Sequence, residues 1–189
     1  MSDRDTQWPR FEVFQQVRPD TPFHNVGSVH APDAELALQN ARDVFVRRPQ
    51  TTSLWVVPAN RILMKTSEEL AAQPGWRETI ATQDGAVQRY LVFWKTSQRR
   101  SMNYVVQCGE VDAPSAWHAL DEAVAHFGDE EVFVWWIVPA SAVTSSRPDE
   151  IDSLFAPAFD KGFRLPGAYH TRTLMDEIRT AEGEDGTGS

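Results

Sequence analysis

Three polar residues in the second half of the chain have types and a spacing that could bind a metal. His118, Glu122 and His126 recur at every fourth position of a predicted helix and therefore share one helix face. Two imidazoles and one carboxylate are ligands that transition metals accept. The apolar positions centred on Leu120 define the buried side of this helix, and the three polar residues lie on the opposite side. That direction favours a solvated or partner-facing stripe over a metal site.

A second pair of imidazoles, His24 and His30, brackets a predicted strand in the first half of the chain. Residues an even number apart on a regular strand point to the same face, so both rings are expected on one side of the sheet. Such a pair could relay a proton or supply half of a metal site. Histidines at strand ends also serve as ordinary hydrogen-bonding groups, and the sequence leaves both interpretations open.

Charged residues gather near the end of the first predicted helix, as Arg42-Asp43 and Arg47-Arg48. Cations at a helix C-terminus complement the helix dipole and stabilise the helix. Exposed guanidinium groups also anchor protein partners. Both roles fit the same charges, so this cluster is a candidate interface as well as a helix end.

Trp135 and Trp136 stand side by side in an apolar run of the second half. Adjacent side chains on a strand point to opposite faces, so one of the two rings is a candidate interface anchor. The sequence contains no glycine-rich phosphate loop, no serine nucleophile elbow and no HExxH motif. It therefore predicts no catalytic, cofactor-binding or metal-binding residue in this chain.

The elements that must position these residues occur twice. Residues 11–14, 31–32 and 54–59 recur in the same order as residues 90–93, 113–114 and 135–140, about 80 positions later. Each copy follows the pattern strand, strand, helix, strand, with Asp33 as the predicted N-cap of the first helix. A right-handed crossover through the helix gives the strand order 2-1-3 in each copy. We therefore predict an α+β fold of two tandem ββαβ units, each an antiparallel sheet covered by a helix, arranged as an intramolecular pseudo-dimer with an extended C-terminal arm.

The repeat also sets the predicted domain boundaries. The two units span residues 8–66 and 88–145, and a linker at 67–87 joins them. Residues 146–180 are rich in proline and glycine with isolated aromatic side chains, which predicts an extended arm that needs a surface to lie on. Residues 181–189 have the composition of a disordered tail.

Composition excludes several classes of function. The chain has 18 basic and 27 acidic residues and a net charge of −9, which argues against nucleic-acid binding. Cys108 is the single cysteine, so neither an internal disulfide nor a cysteine-based zinc site is expected. The first residues are charged rather than apolar, and no apolar run approaches the roughly 20 residues of a membrane helix. A soluble, cytoplasmic protein is expected.

Several motifs of the first copy resemble one known protein family. They are residues 11–14 (FEVF), 24–31 (HNVGSVHA), 37–43 (ALQNARD), 47–48 (RR) and 53–57 (SLWVV). In this order they resemble the PaaB family, the B subunits of ring-1,2-phenylacetyl-CoA epoxidases, which are bacterial multicomponent monooxygenases. The resemblance is dense over residues 10–62 and continues at 155–169. Family members usually carry one unit before the tail, whereas here a divergent second unit, residues 89–145, stands between them and shows no clear counterpart of residues 26–28.

The resemblance implies a non-catalytic role in phenylacetate degradation. In that family the A subunit holds a di-iron centre, and the C subunit is its structural relative. A separate reductase delivers electrons, and the B subunit bridges the A–C pairs. This chain is therefore expected to bind the A and C subunits, with the reductase as a further candidate partner, and to carry no cofactor of its own. The duplication is expected to supply in one chain the pair of units that would otherwise come from two.

The residues expected at a partner interface combine the family-like motifs with the unexplained charged and aromatic side chains. They are His24, His30, Arg42, Asp43, Arg47, Arg48, Trp135, Phe155, Phe163 and Tyr169. Two alternatives stay open. One is a stand-alone small α+β enzyme that uses a histidine in a sheet-lined cleft, and the other is a scaffold that serves a different oxygenase.

Overall fold

Each copy of the repeat folds as two strands, a helix and a third strand, followed by a short segment of its own. The computed structural model describes residues 7–46, 51–73, 75–80, 85–98, 104–127 and 131–158, together with Met175. The first copy contains β1 (Arg10–Gln16), β2 (His24–His30), α1 (Ala34–Phe45) and β3 (Ser53–Pro58), and then come β4 (Leu63–Thr66), α2 (Ser67–Ala72) and α3 (Trp76–Ile80). The second contains β5 (Gln88–Lys95), β6 (Val106–Ala113), α4 (Ala116–Phe127) and β7 (Val134–Pro139), and then come β8 (Thr144–Ser145) and α5 (Ile151–Phe155).

Local chemistry explains where the helices begin. Asp33 has an extended backbone and accepts a hydrogen bond from the Leu36 N–H at 2.8 Å, so the predicted N-cap of α1 is confirmed. The corresponding Ser115 Oγ accepts from the His118 N–H at 3.4 Å at the start of α4. After each third strand a proline is followed by one turn of 3-10 helix, Ala59–Arg61 in the first copy and Ala140–Ala142 in the second.

Within the described residues, all strands join one antiparallel sheet of eight, in the order β4-β7-β5-β6-β2-β1-β3-β8. The predicted order 2-1-3 is confirmed in both copies, as β2-β1-β3 and as β6-β5-β7. The two copies meet where β2 pairs with β6, opposite His24 and Val106. The fold is therefore the predicted pair of ββαβ units, fused edge to edge into a single sheet.

The outermost strands are exchanged between the copies. β4 follows the first copy in the chain but pairs with β7 of the second, and β8 follows the second copy but pairs with β3 of the first. The helices that follow show the same exchange, since Trp76 and Ile80 of α3 lie in the core of the second copy, and Phe155 of α5 lies in the core of the first. Each copy is therefore completed by a segment that the other copy provides. Residues 67–87, expected to be a linker, contain two helices, and the expected arm begins with α5.

The described part of the chain packs around three apolar cores. One lies between α1 and its strands, a second lies between α4 and its strands, and a third, here called the central core, combines residues of both copies. In the central core the rings of Phe14 and Phe93 lie 4.5 Å apart, although β2 and β6 separate their strands in the sheet. The sheet must therefore curl so that its two halves face each other. β7 is buried at all six positions because α4 covers one face and the central core covers the other.

A β-bulge occurs at the same place in both copies. Opposite the step from Val13 to Phe14, β2 inserts Val26 as an extra residue, and opposite the step from Val92 to Phe93, β6 inserts Cys108. Cys108-Gly109-Glu110 is thus the counterpart of residues 26–28 that the sequence did not reveal. Each bulge precedes a glycine, and a Cβ atom added to Gly109 would lie 2.5 Å from the Phe127 ring.

The bulge overturns the expectation that His24 and His30 share a face of the sheet. His24 lies opposite Gln15, and His30 lies opposite Arg10. Gln15 and Arg10 are an odd number apart on β1, which pairs with β3 without any shift in register, so they point to opposite faces. On β2 the extra residue Val26 reverses the alternation of side chains between His24 and His30, so these two also point to opposite faces. The two imidazoles are therefore separated by the sheet and cannot act as a pair.

Candidate functional site

A buried carboxylate distinguishes the first copy from the second. Glu12 on β1 is 7% exposed. Its Oε2 accepts a hydrogen bond from Asn25 Nδ2 at 3.2 Å, and its Oε1 lies 3.3 Å from Arg10 Nε. Glu12 stands two positions before Phe14. The residue two positions before Phe93 in the second copy is Leu91, which lies in the central core. Burial raises the pKa of Glu12, while the Asn25 hydrogen bond and the Arg10 charge lower it in part.

Glu12→Gln is expected to stabilise the protein at neutral pH. Because the pKa of Glu12 is raised on folding, the folded chain holds the ionised carboxylate less well than the unfolded chain does. The gain should be absent below the ordinary pKa of 4.5, where both states are protonated, should grow as pH rises from that value towards the raised folded-state pKa, and should be complete above it. Urea midpoints at pH 4 and pH 7 measure the difference. The exposed Glu122→Gln is the control, and a loss of stability at pH 7 in Glu12→Gln would show that the Arg10 ion pair outweighs burial.

His30 lies at the end of β2 between two surface hollows. Its Nδ1 is 2.7 Å from the backbone oxygen of Trp8, and its own backbone oxygen accepts from Asn40 Nδ2 at 3.2 Å. On one side is an open cleft of about 730 Å³ that Trp8, Arg10 and Asn60 also line. On the other side, a groove of about 350 Å³ runs between β2 and α1. The ring is exposed on the face of β2 opposite to Val29, which packs in the core beneath α1, so a partner would reach it from the side of the cleft.

The groove between β2 and α1 brings together residues of two family-like motifs. Its lining residues are Ser28, Val29, His30, Asn40, Asp43 and Val44. The carboxylate of Asp43 accepts from Arg42 Nε at 2.9 Å, so this ion pair stands at the rim. The structure thus gathers His30, Arg42 and Asp43 of the predicted interface in one place.

The other predicted interface residues lie elsewhere. His24 is half-buried on the opposite face of β2, where burial lowers the pKa of its imidazole and a hydrogen bond to the Pro22 backbone raises it in part. Arg47, Arg48, Phe163 and Tyr169 lie outside the residues that the structure describes.

Two of the predicted aromatic anchors belong to the protein's own cores. Trp135 is 3% exposed and packs between the sheet and α4, while Trp136 points the other way into the central core. Phe155 is 4% exposed and packs in the core of the first copy. The adjacent tryptophans face opposite ways as predicted, but the protein itself covers both. Trp135 and Phe155 are therefore core residues and offer no surface to a partner.

The helical stripe of the second copy faces solvent. Glu122 and His126 are exposed, and the Nδ1 of His118 lies 2.9 Å from Ser115 Oγ. Within the described parts of the chain, no group of three or more His, Cys, Asp and Glu side chains is placed to hold a metal ion. Burial raises the pKa of the Cys108 thiol to about 12, so it is protonated at neutral pH. None of the described helices is long and apolar enough to cross a membrane.

Glu12, Asn25 and Asn40 were not predicted as site residues. A comparison of the two copies could have identified Glu12, because this carboxylate stands where the second copy has Leu91. For Asn40 the signal is weaker, since the equivalent Glu122 is polar too. Asn25 follows a histidine in an ordinary polar strand end, and nothing in its sequence context indicates that it is buried.

Comparison with known proteins matches both copies. A family model described as Phenylacetic acid degradation B (PaaB) matches residues 7–78 and 86–175, which correspond to the two copies with their following segments. The chain is 44% identical over 62 residues to a protein of Escherichia coli (strain K12) that is named as the B subunit of 1,2-phenylacetyl-CoA epoxidase. The aligned part covers 33% of this chain and 65% of that relative, somewhat under two thirds of its length. No solved structure matches the chain. With most of its length matched in two segments, the chain belongs to the PaaB family.

Proposed function

We propose that this chain is a non-catalytic bridging subunit of a multicomponent phenylacetyl-CoA epoxidase in phenylacetate degradation. Its partners are the di-iron oxygenase A subunit and the structural C subunit, with the reductase as a further candidate. The observation that carries the proposal is the two-segment PaaB match, together with the similarity to a protein named as the B subunit of such an epoxidase.

The placement of the polar residues supports a binding role. Residues that the two copies share fill the cores, as Phe14 and Phe93 do in the central core. Residues that distinguish the first copy lie instead around β2 and α1, where His30, Asn40 and Asp43 line one groove. Polar side chains form the solvent-accessible rim of a typical protein interface. The first copy therefore supplies the main binding surface.

We further propose that the duplication replaces a pair of chains. The 62 aligned residues make up 65% of the E. coli relative, so that relative is about half as long as this chain of 189 residues. The exchange of β4 and β8 joins the copies as two subunits of a closed pseudo-dimer would be joined. A single chain thereby presents two unequal faces.

Reconstitution with purified A–C complex tests both proposals. The free chain should have a native mass of 21.3 kDa, and it should co-elute with the A–C complex at a higher mass after mixing. An obligate homodimer of the free chain would contradict the pseudo-pair, and separate elution would contradict the bridging role. The stand-alone enzyme is tested in the same preparation: substrate turnover by the free chain that His30→Ala abolishes would contradict a non-catalytic subunit.

A further inference from the structure

The outer edge of β2 carries backbone groups that point away from β1. The Ala31 N–H donates to the Pro9 oxygen at 3.1 Å, so Ala31 and Pro9 form a hydrogen-bonded pair of the β1–β2 ladder. In an antiparallel ladder such pairs alternate, so the N–H and C=O groups of Ser28 and His30 face the other edge. Over the described residues, β2 pairs with β6 only near His24, and no strand pairs with the edge at Ser28 and His30.

The same edge already accepts a strand a few residues away. The Asn25 N–H donates to the Val105 oxygen at 2.9 Å, and the Tyr104 N–H donates to the Asn25 oxygen at 3.3 Å. This pairing is the junction between the two copies. Beyond the bulge at Val26 the β2 edge continues in the same direction, so the stretch that no described strand occupies is continuous with an established strand interface.

The helix α1 forms the opposite wall of the groove along this edge. Asn40, Asp43 and Val44 stand on the helix side, and Val29 lies at the base. Asn40 also binds the outward oxygen of His30, which fixes the helix relative to the strand. A groove between an exposed strand edge and a helix is a geometry in which an extended peptide adds a strand, with its backbone paired to the edge and alternate side chains in the groove.

We propose that an extended segment of a partner subunit adds to the β2 edge as an extra strand, pairing with the N–H and C=O groups of Ser28 and the N–H of His30 and placing an apolar side chain against Val44. This inference rests on the proposed function, because the partner is taken to be a component of the A–C complex. The protein's own C-terminal part is the alternative occupant, because α5 packs with α1 in the core of the first copy, and the hydrogen-exchange experiment below distinguishes it from a partner.

The corresponding edge of β6 in the second copy carries charged side chains and is not proposed to accept a strand. Counting from the bulge, Glu110 and Asp112 stand where the first copy has Ser28 and His30, and Arg89 lies 3.2 Å from the Asp112 carboxylate. Charged side chains along an exposed strand discourage strand addition. On α4 the wall residue equivalent to Val44 is His126. The two edges therefore share a backbone geometry and differ in their chemistry.

Ser28→Pro tests the strand addition. Proline removes the outward N–H and places its ring on the edge, while the bonds of the neighbouring residues to β1 stay intact. Binding of purified A–C complex is measured by calorimetry, and we expect the dissociation constant to rise by about tenfold or more, as losing a backbone bond and its close approach implies. Glu110→Pro, the same change on the second edge, should leave binding within about twofold of the original value.

A second variant and hydrogen exchange keep the test independent of folding. Val44→Glu on the groove wall should also weaken binding, whereas His126→Glu on α4 should not. On adding A–C complex, the Ser28 and His30 amides should become protected from exchange.

Three outcomes would overturn the inference: binding insensitive to both Ser28→Pro and Val44→Glu, amides already protected in the free chain by its own tail, or self-association that Ser28→Pro abolishes. Failure of the unmodified chain to bind A–C complex would instead contradict the proposed function.

Discussion

Phe14→Ala is expected to lower the free energy of unfolding by about 3–5 kcal/mol, the usual cost of deleting a buried aromatic ring. Phe14 is fully buried, its ring lies 4.5 Å from that of Phe93, and it meets Trp136 edge to face at 6.1 Å. These three side chains come from both copies, so the cavity would open at the contact between the two halves of the sheet. Urea unfolding monitored by tryptophan fluorescence measures the loss.

The control for this variant is Val87→Ala, which shortens an exposed apolar side chain and should change stability by less than about 0.5 kcal/mol. A double-mutant cycle with Phe93→Ala should show that the two losses do not add, because both variants empty the same contact. Additive losses, or a loss of under about 1 kcal/mol for Phe14→Ala, would mean that the two halves are not coupled through the central core.

Gly27→Ala is expected to cost about 2–4 kcal/mol, because a strained backbone and a side-chain collision act together. Gly27 has φ of 135°, a conformation that residues with a side chain rarely adopt. A Cβ atom there would also lie 2.9 Å from the ring of Phe45. Thermal unfolding of the variant measures the combined effect.

Two comparisons separate these causes. Gly75→Ala is the control, since a Cβ atom at Gly75 would meet only a Glu78 oxygen at 3.7 Å, which is an ordinary contact. Phe45→Leu removes the ring atoms that would collide with the new Cβ atom but leaves the backbone strain. Gly27→Ala should therefore cost less stability in the Phe45→Leu background than in the original protein. A neutral Gly27→Ala would contradict the bulge geometry.

The repeat, the element order and the strand order could be predicted because they depend on local patterns. Alternation identifies β1, a continuous apolar run identifies β5, Asp33 identifies the start of α1, and the handedness of the crossover gives the order 2-1-3. The exchange could not be predicted, since β4 has four residues and β8 has two. Segments that short pair with whichever edge the assembled sheet offers, and that edge is a property of the whole fold.

The candidate site was predicted in part, for reasons visible in single residues. His30 and Asp43 belong to motifs that the second copy lacks, and they line one groove. The pairing of His24 with His30 was wrong because one bulge residue, Val26, reverses the alternation without any change in composition. Trp135 was expected at a surface, but both faces of β7 are covered by other parts of the chain.

The exchanged segments link the fates of the two copies. After a duplication, one copy is usually free to change while the other keeps the original role. Here the second copy can lose the charged surface motifs, but β8 and α5, which follow it, still complete the sheet and core of the first. Its own sheet in turn depends on β4 and its core on α3, which follow the first. Divergence is therefore easiest on the outer surfaces, and each half constrains the evolution of the other from within.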